Sequence, residues 1–214
     1  MATASQIHSL LNPTNCTVVL IDYQPQMFFG IQSIDRGMLI SNVVGLAKAA
    51  KAFKVPVILT SVAAETFSGV FLPEVQEEFP DMKPIDRTTM NTWEDQKVVE
   101  AVEKTGRKKL VIGGLWTEVC IVLPAIQALE AGYEVYVVAD ACGGVSSMAH
   151  DMGMLRMVQA GAVPMTWLQF LLELQRDWAR SETYESTLKI VGEHGGAYGQ
   201  GVLYAKTMLG HSGG

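Results

Sequence analysis

The sequence predicts an α/β fold: a single domain in three α/β/α layers, with a six-stranded, mainly parallel sheet. Short apolar runs alternate along the 214-residue chain with longer segments whose apolar residues recur at helical spacing. Runs such as residues 16–21 (CTVVLI) lack polar alternation, which is typical of strands covered on both faces. Together these observations favour a doubly wound sheet with the strand order 3-2-1-4-5-6.

The individual elements follow from where charge, glycine or proline interrupts each pattern. Strands are predicted at residues 16–21, 55–59, 85–87, 110–112, 134–139 and 162–166. Helices are predicted at residues 33–53, 72–78, 94–105, 117–131, 146–160 and 167–180, followed by one or two helices within 184–209, with 192–201 irregular. Residues 1–15 should form an N-terminal arm and residues 181–214 a helical C-terminal extension. No linker or repeat interrupts the pattern.

Composition and charge exclude several classes of partner. The chain is 49% hydrophobic and only 18% charged, which suggests that some apolar surface is used in subunit contacts. The net charge of −6, without a basic stripe, argues against nucleic acid. The odd number of cysteines (Cys16, Cys120 and Cys142) argues against a disulfide framework and for a reducing compartment. Without a signal-like N-terminus or a long apolar span, we expect a cytoplasmic protein that does not bind membranes.

Residues 109–123 (KLVIGGLWTEVCIVL) contain the candidate nucleophile, Cys120. They read as a buried strand, a glycine pair, a short turn and a helix that starts near Thr117. A thiol in the first turn of a helix faces the positive end of the helix dipole, which favours the thiolate. Strand, turn, nucleophile and helix is a recurrent arrangement at the edge of a parallel sheet. The alternative is that Cys120 is a small apolar core residue.

Two charged residues end the strands that should lie near this turn. Asp22 follows the first strand, which neighbours the fourth strand at the switch in strand order, where such sheets bind ligands. A carboxylate there can take the proton of Cys120 and later activate water. Arg87 ends the third strand and can hold the charge of the pair, with Lys83 as the other available cation. The alternatives are a turn residue or helix cap for Asp22 and a solvated surface position for Arg87.

Several short motifs then combine over nearly the whole chain. They are Asp22-Tyr23-Gln24 after the first strand, Gly114-Leu115-Trp116-Thr117-Glu118-Val119-Cys120, Arg87 with Asn91 and Trp93, residues 132–141, and Met165-Thr166-Trp167. This set resembles the isochorismatase-like cysteine hydrolases, and in particular their YcaC-like branch. The family commonly has Lys where Arg87 stands, whereas the YcaC-like branch carries Arg, so that proton relay through this residue is in doubt but charge stabilisation is not.

The resemblance implies a catalytic triad of Asp22, Arg87 and Cys120. It also implies a non-proline cis peptide bond, here expected between Trp116 and Thr117, and an oxyanion site formed by backbone amides of Trp116, Thr117 and Cys120. Gln24 can contribute to a substrate pocket beside this turn. Phe28, Trp93 and Trp116 can line that pocket, although each can equally belong to the core.

No metal or other cofactor is expected. Metal-binding relatives carry histidines in the loop after the second strand, and residues 61–82 contain none. The four histidines of the chain, at positions 8, 150, 194 and 211, lie far apart in sequence, so we expect scattered surface or helix positions. The irregular segment 61–82 is long enough to form a lid or one wall of a pocket.

These observations favour a cysteine hydrolase that cleaves a C–N bond of a small amide-like molecule through an acyl-enzyme. One alternative is vinyl-ether hydrolysis of isochorismate, which does not require a covalent thiol. Another is a non-enzymatic, redox-sensing assembly protein, because a reactive exposed thiol also suits a peroxide sensor. A dinucleotide-binding protein is disfavoured because no G-x-G-x-x-G follows the first strand. The resemblance implies a homo-octamer.

Overall fold

The computed structural model describes residues 9–208 and 210 and confirms the predicted sheet. Six strands pair in parallel in the order β3-β2-β1-β4-β5-β6. They are β1 (Cys16–Ile21), β2 (Val57–Val62), β3 (Ile85–Arg87), β4 (Lys109–Leu115), β5 (Glu134–Gly143) and β6 (Val163–Met165). Every residue of β1 and β4 is buried, as expected for the two central strands of a sheet covered on both faces.

Helices cover both faces of this sheet. They are α1 (Pro25–Phe29), α2 (Arg36–Ala52), α3 (Pro73–Gln76), α4 (Gln96–Lys104), α5 (Val122–Glu130), α6 (Ser147–Ala160), α7 (Trp167–Gln175), α8 (Ser181–His194) and α9 (Gly196–Met208). α2, α7 and α8 pack together on one face, and α4, α5 and α6 lie on the other. The apolar faces of both layers close on the sheet, so that the core lies on either side of β1, β4 and β5.

The main differences from the predicted elements lie at the carboxyl edge of the sheet. β4 continues to Leu115 and β5 to Gly143, because the two strands pair beyond a register shift at Ile112/Gly114, with Leu115 opposite Gly143. The sequence prediction ended both strands earlier because glycine and Asp140 interrupt the apolar runs.

Two helices also differ from the prediction. α1 was not predicted at all. The predicted helix 167–180 ends at Gln175, where Arg176 takes a left-handed conformation with φ of 57°.

The described parts of the two terminal segments differ from the predicted N-terminal arm and from the predicted irregular stretch. The predicted arm 1–15 is described only from residue 9, and Leu11 is fully buried with its N–H donating to Glu173. In the predicted extension, α8 and α9 are separated only by Gly195, so the irregular stretch predicted at 192–201 is wrong. No helix in the described residues is both long and apolar enough to span a bilayer.

Candidate active site

A glycine pair brings the two central strands close together at the carboxyl edge of the sheet. Gly114 lies opposite Ile21 in the β1–β4 register. A Cβ atom added at Gly114 would lie 2.3 Å from the carbonyl oxygen of Ile21, and one at Gly113 would lie 2.7 Å from the Tyr23 hydroxyl. Only glycine permits this approach, so the pair sets the segment after β4 directly beside the residue that follows β1.

Asp22 is the residue that follows β1, and its backbone is unusual. It has a φ of 57°, in the left-handed region that non-glycine residues adopt infrequently, Asp more readily than most. Its N–H still donates to the Thr60 carbonyl at 2.9 Å, so that the chain leaves the sheet only after this residue. The side chain is fully buried at the edge of the sheet.

Arg87, the last residue of β3, forms a buried ion pair with Asp22. Its Nη2 donates to Asp22 Oδ2 at 2.7 Å and to Thr92 Oγ1 at 2.7 Å, and Nη1 donates to the Thr89 carbonyl. Neither charged side chain is exposed to solvent. The two strands that carry them are separated in the sheet by β2, and the long guanidinium side chain spans that gap. The expected surface alternative for Arg87 is therefore excluded.

Cys120 lies in residues 116–121, which we call the Cys turn. Thr117–Ile121 forms one π-helical turn before α5 begins at Val122, in place of the regular first helical turn that the sequence predicted. Such π-helical turns occur frequently at functional sites. The thiol is buried and interacts with the Asp22 carboxylate, which is also bonded to Arg87. The structure therefore places the three predicted catalytic residues in one chain of contacts.

The protonation of Cys120 differs from the sequence-based expectation. Burial, together with the neighbouring Asp22 carboxylate, raises the pKa of the Cys120 thiol to about 12, although Arg87 and a hydrogen bond from the Trp116 backbone act in the opposite direction. Burial also raises the pKa of Asp22 to about 6, and Arg87 limits that rise. The prediction of a thiolate favoured by the helix dipole is therefore wrong, because desolvation outweighs it. Near neutral pH the pair is a thiol beside a carboxylate.

The non-proline cis peptide bond lies one residue earlier than expected. It joins Leu115 to Trp116, so the placement at Trp116–Thr117 was wrong. The reason is the extension of β4, whose last paired residue is Leu115, so that the turn starts at Trp116. The Trp116 indole N–H donates to the Met27 carbonyl at 2.7 Å, and the ring packs on Gly30, where a Cβ atom would lie 2.6 Å from it. The turn is thereby attached to α1.

Comparison with known proteins identifies the family of this chain. The isochorismatase domain model matches residues 16–169. The probable hydrolase YcaC of Escherichia coli (strain K12) is 37% identical over 169 residues, which cover 78% of this chain and 81% of that protein. This chain belongs to the isochorismatase family.

Two solved YcaC structures place the chain in the YcaC-like branch of the isochorismatase family. YcaC from Pseudomonas aeruginosa with hexane-2,5-diol and covalent acrylamide superposes with a TM-score of 0.90 at 33% identity, covering 95% of this chain and 100% of that one. E. coli YcaC, described as an octameric hydrolase of unknown specificity, gives a TM-score of 0.89 at 33% identity, covering 95% and 99%. The chain is thus a YcaC-like, isochorismatase-family hydrolase.

The four predicted pocket residues of this YcaC-like chain occupy different environments. Gln24 is fully buried: its Oε1 accepts from the Val62 N–H at 2.9 Å, and its Nε2 donates to the Gly69 carbonyl at 2.6 Å, so that it fixes the start of segment 61–82.

The three aromatic residues are held mainly by packing. Phe28 is buried with its ring 6.4 Å from that of Tyr23. The Trp93 ring packs edge-on against Tyr133 at 5.3 Å. Trp116 is half-buried within the Cys turn itself. A role for these side chains in substrate binding stays a prediction.

Two residues at this isochorismatase-type site had no signal in the sequence. Thr92 accepts a hydrogen bond from Arg87, and His150 of α6 lies with its Nδ1 2.8 Å from Thr117 Oγ1 in the Cys turn. His150 is 33 positions from Thr117 along the chain, and nothing in its local sequence indicates that α6 packs there. His150 thus lies on a helix, as predicted, and in addition contacts the Cys turn. His8 and His211 lie outside the described residues.

Metal ligands are the remaining question for this site. Within residues 9–208 and 210, no group of three or more His, Cys, Asp or Glu side chains is arranged so that it could hold a metal ion. The expectation of a metal-free and cofactor-free site stays a prediction.

Proposed function

We propose that this YcaC-like hydrolase cleaves the C–N bond of a small amide-like molecule through a covalent intermediate on Cys120. The observation that carries the proposal is the buried contact chain Arg87–Asp22–Cys120 at the carboxyl edge of the sheet. A thiol beside a carboxylate whose pKa is raised to about 6 is a nucleophile paired with a base that is ionised at neutral pH.

The first half of the reaction transfers one proton and forms one bond. As the Cys120 sulfur attacks the carbonyl carbon, its proton passes to Asp22, and the C=O electron pair moves onto oxygen. Backbone amides of Trp116, Thr117 and Cys120 are the proposed donors to this oxyanion. The tetrahedral intermediate then collapses: the C–N bond breaks, the amine leaves with the proton held by Asp22, and a thioester remains on Cys120.

In the second half, Asp22 again accepts a proton and then returns it, and the free enzyme is regenerated. Asp22 takes a proton from water, and the resulting hydroxide attacks the thioester carbon. The C–S bond breaks, the sulfur recovers the proton from Asp22, and a carboxylic acid is released. One water is consumed, and no oxidant or cofactor is required.

Arg87 acts in this proposal as a fixed positive charge rather than as a proton carrier. Its hydrogen bonds to Asp22 and Thr92 hold the guanidinium in one orientation. Its charge keeps Asp22 ionised at neutral pH despite complete burial. The positive charge also compensates the negative charge that the pair carries during attack.

Two observations bear on the choice between a hydrolase and a redox sensor. The Pseudomonas aeruginosa relative is described with covalent acrylamide, a small amide with an electrophilic carbon, which supports a reactive nucleophile in this branch. A peroxide-sensing role needs an accessible thiol of low pKa, whereas burial and Asp22 raise the pKa of Cys120 to about 12. The hydrolase proposal is therefore favoured over redox sensing.

The deciding experiment combines a substrate panel with trapping. Purified protein is incubated with small primary and secondary amides and with isochorismate, and intact mass and peptide mapping are used to find acyl groups on Cys120. Cys120→Ala should abolish amide turnover, whereas Cys16→Ala, which removes a buried thiol at the start of β1, should retain it. Full amide turnover by Cys120→Ala would overturn the mechanism. Isochorismate turnover that survives Cys120→Ala would instead favour vinyl-ether hydrolysis.

We also propose that the chain assembles as an octamer of identical subunits. The support is the E. coli relative, which is described as octameric, and a row of exposed apolar side chains on the outer face of α6. This row consists of Met148, Met152, Leu155 and Val158. Exposed apolar patches of this kind commonly mark protein contacts. Sedimentation at micromolar concentration tests the assembly, and a stable monomer would contradict it.

A cytoplasmic location stays a prediction, with which the three free, buried cysteines agree.

A further inference from the structure

Helix α6 packs unusually closely on the Cys turn, and glycines make this possible. A Cβ atom at Gly153 of α6 would lie 3.2 Å from the Glu118 Cα and 3.3 Å from the Thr117 methyl group. A Cβ atom at Gly144, just before α6, would lie 2.6 Å from Glu118 Oε2 and 3.1 Å from the His150 Cβ. Backbone of the turn and backbone of the helix are therefore in near contact, so a displacement of either one moves the other.

One side-chain hydrogen bond joins these two elements at the turn's first polar residue. Thr117 is fully buried, and its Oγ1 lies 2.8 Å from Nδ1 of His150, which is partly buried on the first turn of α6. Val145, which precedes α6, donates its N–H to Glu118 Oε1 at 3.0 Å. Two consecutive residues of the Cys turn are thus fixed by the segment that begins α6.

We propose that His150 is a positioning residue for the oxyanion site: through Thr117 it fixes the backbone of the Cys turn in the orientation that stabilises the transition state. The assignment rests on the proposed function, in which the amides of this turn hold the oxyanion. Thr117 lies between two of the residues whose amides are involved, Trp116 and Cys120, so that rotation of its backbone would turn these N–H groups away. His150 does not contact Asp22 or Arg87 in the described hydrogen bonds, so it acts on the turn and not on the base.

The charges around His150 are compatible with a neutral imidazole in this role. Burial lowers the pKa of His150, although Glu118 from the turn and Asp151 from α6 itself act in the opposite direction. A neutral imidazole accepts at one nitrogen and donates at the other, and the Thr117 hydroxyl can serve as either partner. The hydrogen bond is therefore maintained near neutral pH without a charge close to the developing oxyanion.

The test uses two thiol reagents that differ in one respect. When acrylamide reacts, the Cys120 sulfur bonds to the terminal alkene carbon, negative charge develops on the amide oxygen, and the adjacent carbon takes up the proton. When methyl methanethiosulfonate reacts, a disulfide forms and methanesulfinate leaves, with no carbonyl oxyanion. Both reactions need the Cys120 proton to be removed, but only the first develops negative charge on a carbonyl oxygen that the turn amides can stabilise. Rates of modification of Cys120 are followed by peptide mass spectrometry.

His150→Ala and Thr117→Val should each slow acrylamide addition about three- to tenfold, the range expected when one hydrogen bond that positions a site is lost. Both variants should leave the rate with methyl methanethiosulfonate within about twofold. The double variant should be no slower than either single one, because both changes remove the same contact. Thr117→Ser, which keeps the hydroxyl, should slow acrylamide addition less than Thr117→Val does.

The matched control is His194→Ala, which removes another partly buried histidine that contacts Ser41 and Lys48 far from the Cys turn. It should leave both rates unchanged. Equal slowing of both reagents in His150→Ala, additive single effects, or no slowing of acrylamide at all would overturn the assignment. Wild-type protein that neither forms an adduct at Cys120 nor turns over any amide of the panel would instead overturn the proposed function, so the two failures are distinguishable. Thermal unfolding identifies any variant that reacts slowly because it is unfolded. If His150→Ala is such a variant, His150→Asn repeats the test with a smaller change. Slowing of both reagents in His150→Asn would again count against the assignment.

Discussion

Arg87 Nη2 lies 2.7 Å from Asp22 Oδ2, and both side chains are completely buried. Bringing two charges out of water costs several kcal/mol each, which a single ion pair in a protein interior only partly offsets. Arg87 also donates hydrogen bonds to the Thr92 hydroxyl and the Thr89 carbonyl, which reduce that cost. A buried ion pair that contributes so little to stability suggests a role in chemistry. That role can be tested by measuring how fast thiol reagents modify Cys120.

Asp22→Asn should remove the base while keeping the shape of the side chain. We expect acrylamide addition at Cys120 to slow by about 100-fold or more, the usual contribution of a positioned general base. The fold should also lose about 3–5 kcal/mol of unfolding free energy, because Arg87 is left as an unpaired buried charge. Peptide mass spectrometry and chemical denaturation measure the two effects.

The control for this change is Asp140→Asn. Asp140 accepts a hydrogen bond from the Trp167 N–H at 2.8 Å and lies in β5 away from the triad. The Asp140→Asn variant should be less stable than wild type but should keep the wild-type rate of Cys120 modification. If Asp22→Asn modified as quickly as wild type, Asp22 would not be the base.

The pH dependence of Cys120 modification should report the ionisation of Asp22. Burial raises the pKa of Asp22 to about 6, so the carboxylate that accepts the thiol proton is present above that pH and is lost as the pH falls through it. The acrylamide rate should be about tenfold lower at pH 5 than at pH 7.5 and level above pH 7. An uncatalysed thiol of pKa about 12 would instead react about tenfold faster with each pH unit throughout this range.

Arg87→Met and Arg87→Lys should move that pH midpoint in a defined direction. Arg87 lowers the pKa of Asp22, so its removal in Arg87→Met raises the pKa and shifts the midpoint above 6. Arg87→Lys keeps the charge but loses the planar fork that binds Asp22, Thr92 and Thr89 together, so its midpoint should lie between those of Arg87→Met and wild type. The measurement is the same rate profile from pH 5 to 8.5. A midpoint that stays at 6 or moves lower in Arg87→Met would contradict this role.

The sequence was most informative about β1 and β3. β1 and β3 were predicted with their exact bounds, because a charged residue follows or ends each of them, and their order in the sheet follows from the alternation of strands and helices. The same reasoning brought Asp22, Arg87 and Cys120 to one edge of the sheet, and the structure confirms that the strand ends meet there.

The features that were missed depend on packing between distant segments. The protonation of Cys120 was predicted from the local helix dipole, but burial by the rest of the chain decides it. His150 and Thr92 join the site only because α6 and the segment after β3 pack there. The left-handed backbone of Asp22 has no side-chain signature, and the cis bond was misplaced because the pairing of β4 with β5 extends past the glycine pair.

Gly114→Ala should separate the two halves of the site by acting on the backbone alone. The added methyl group would lie 2.3 Å from the Ile21 carbonyl oxygen and 2.7 Å from the Ile121 side chain, and the nearer atom is backbone that cannot rotate away. β1 and β4 must therefore move apart where Asp22 and the Cys turn face each other. We expect a loss of about 3 kcal/mol of unfolding free energy, near the upper end for overpacking, and loss of fast Cys120 modification. Gly192→Ala in α8 is the matched control, because beyond its chain neighbours and the adjacent backbone of its own helix no atom lies within 4 Å of its added Cβ. It should raise stability by about 0.5–1 kcal/mol with no effect on Cys120. A Gly114→Ala protein with wild-type stability and reactivity would show that the close approach of β1 and β4 is not what holds the site together.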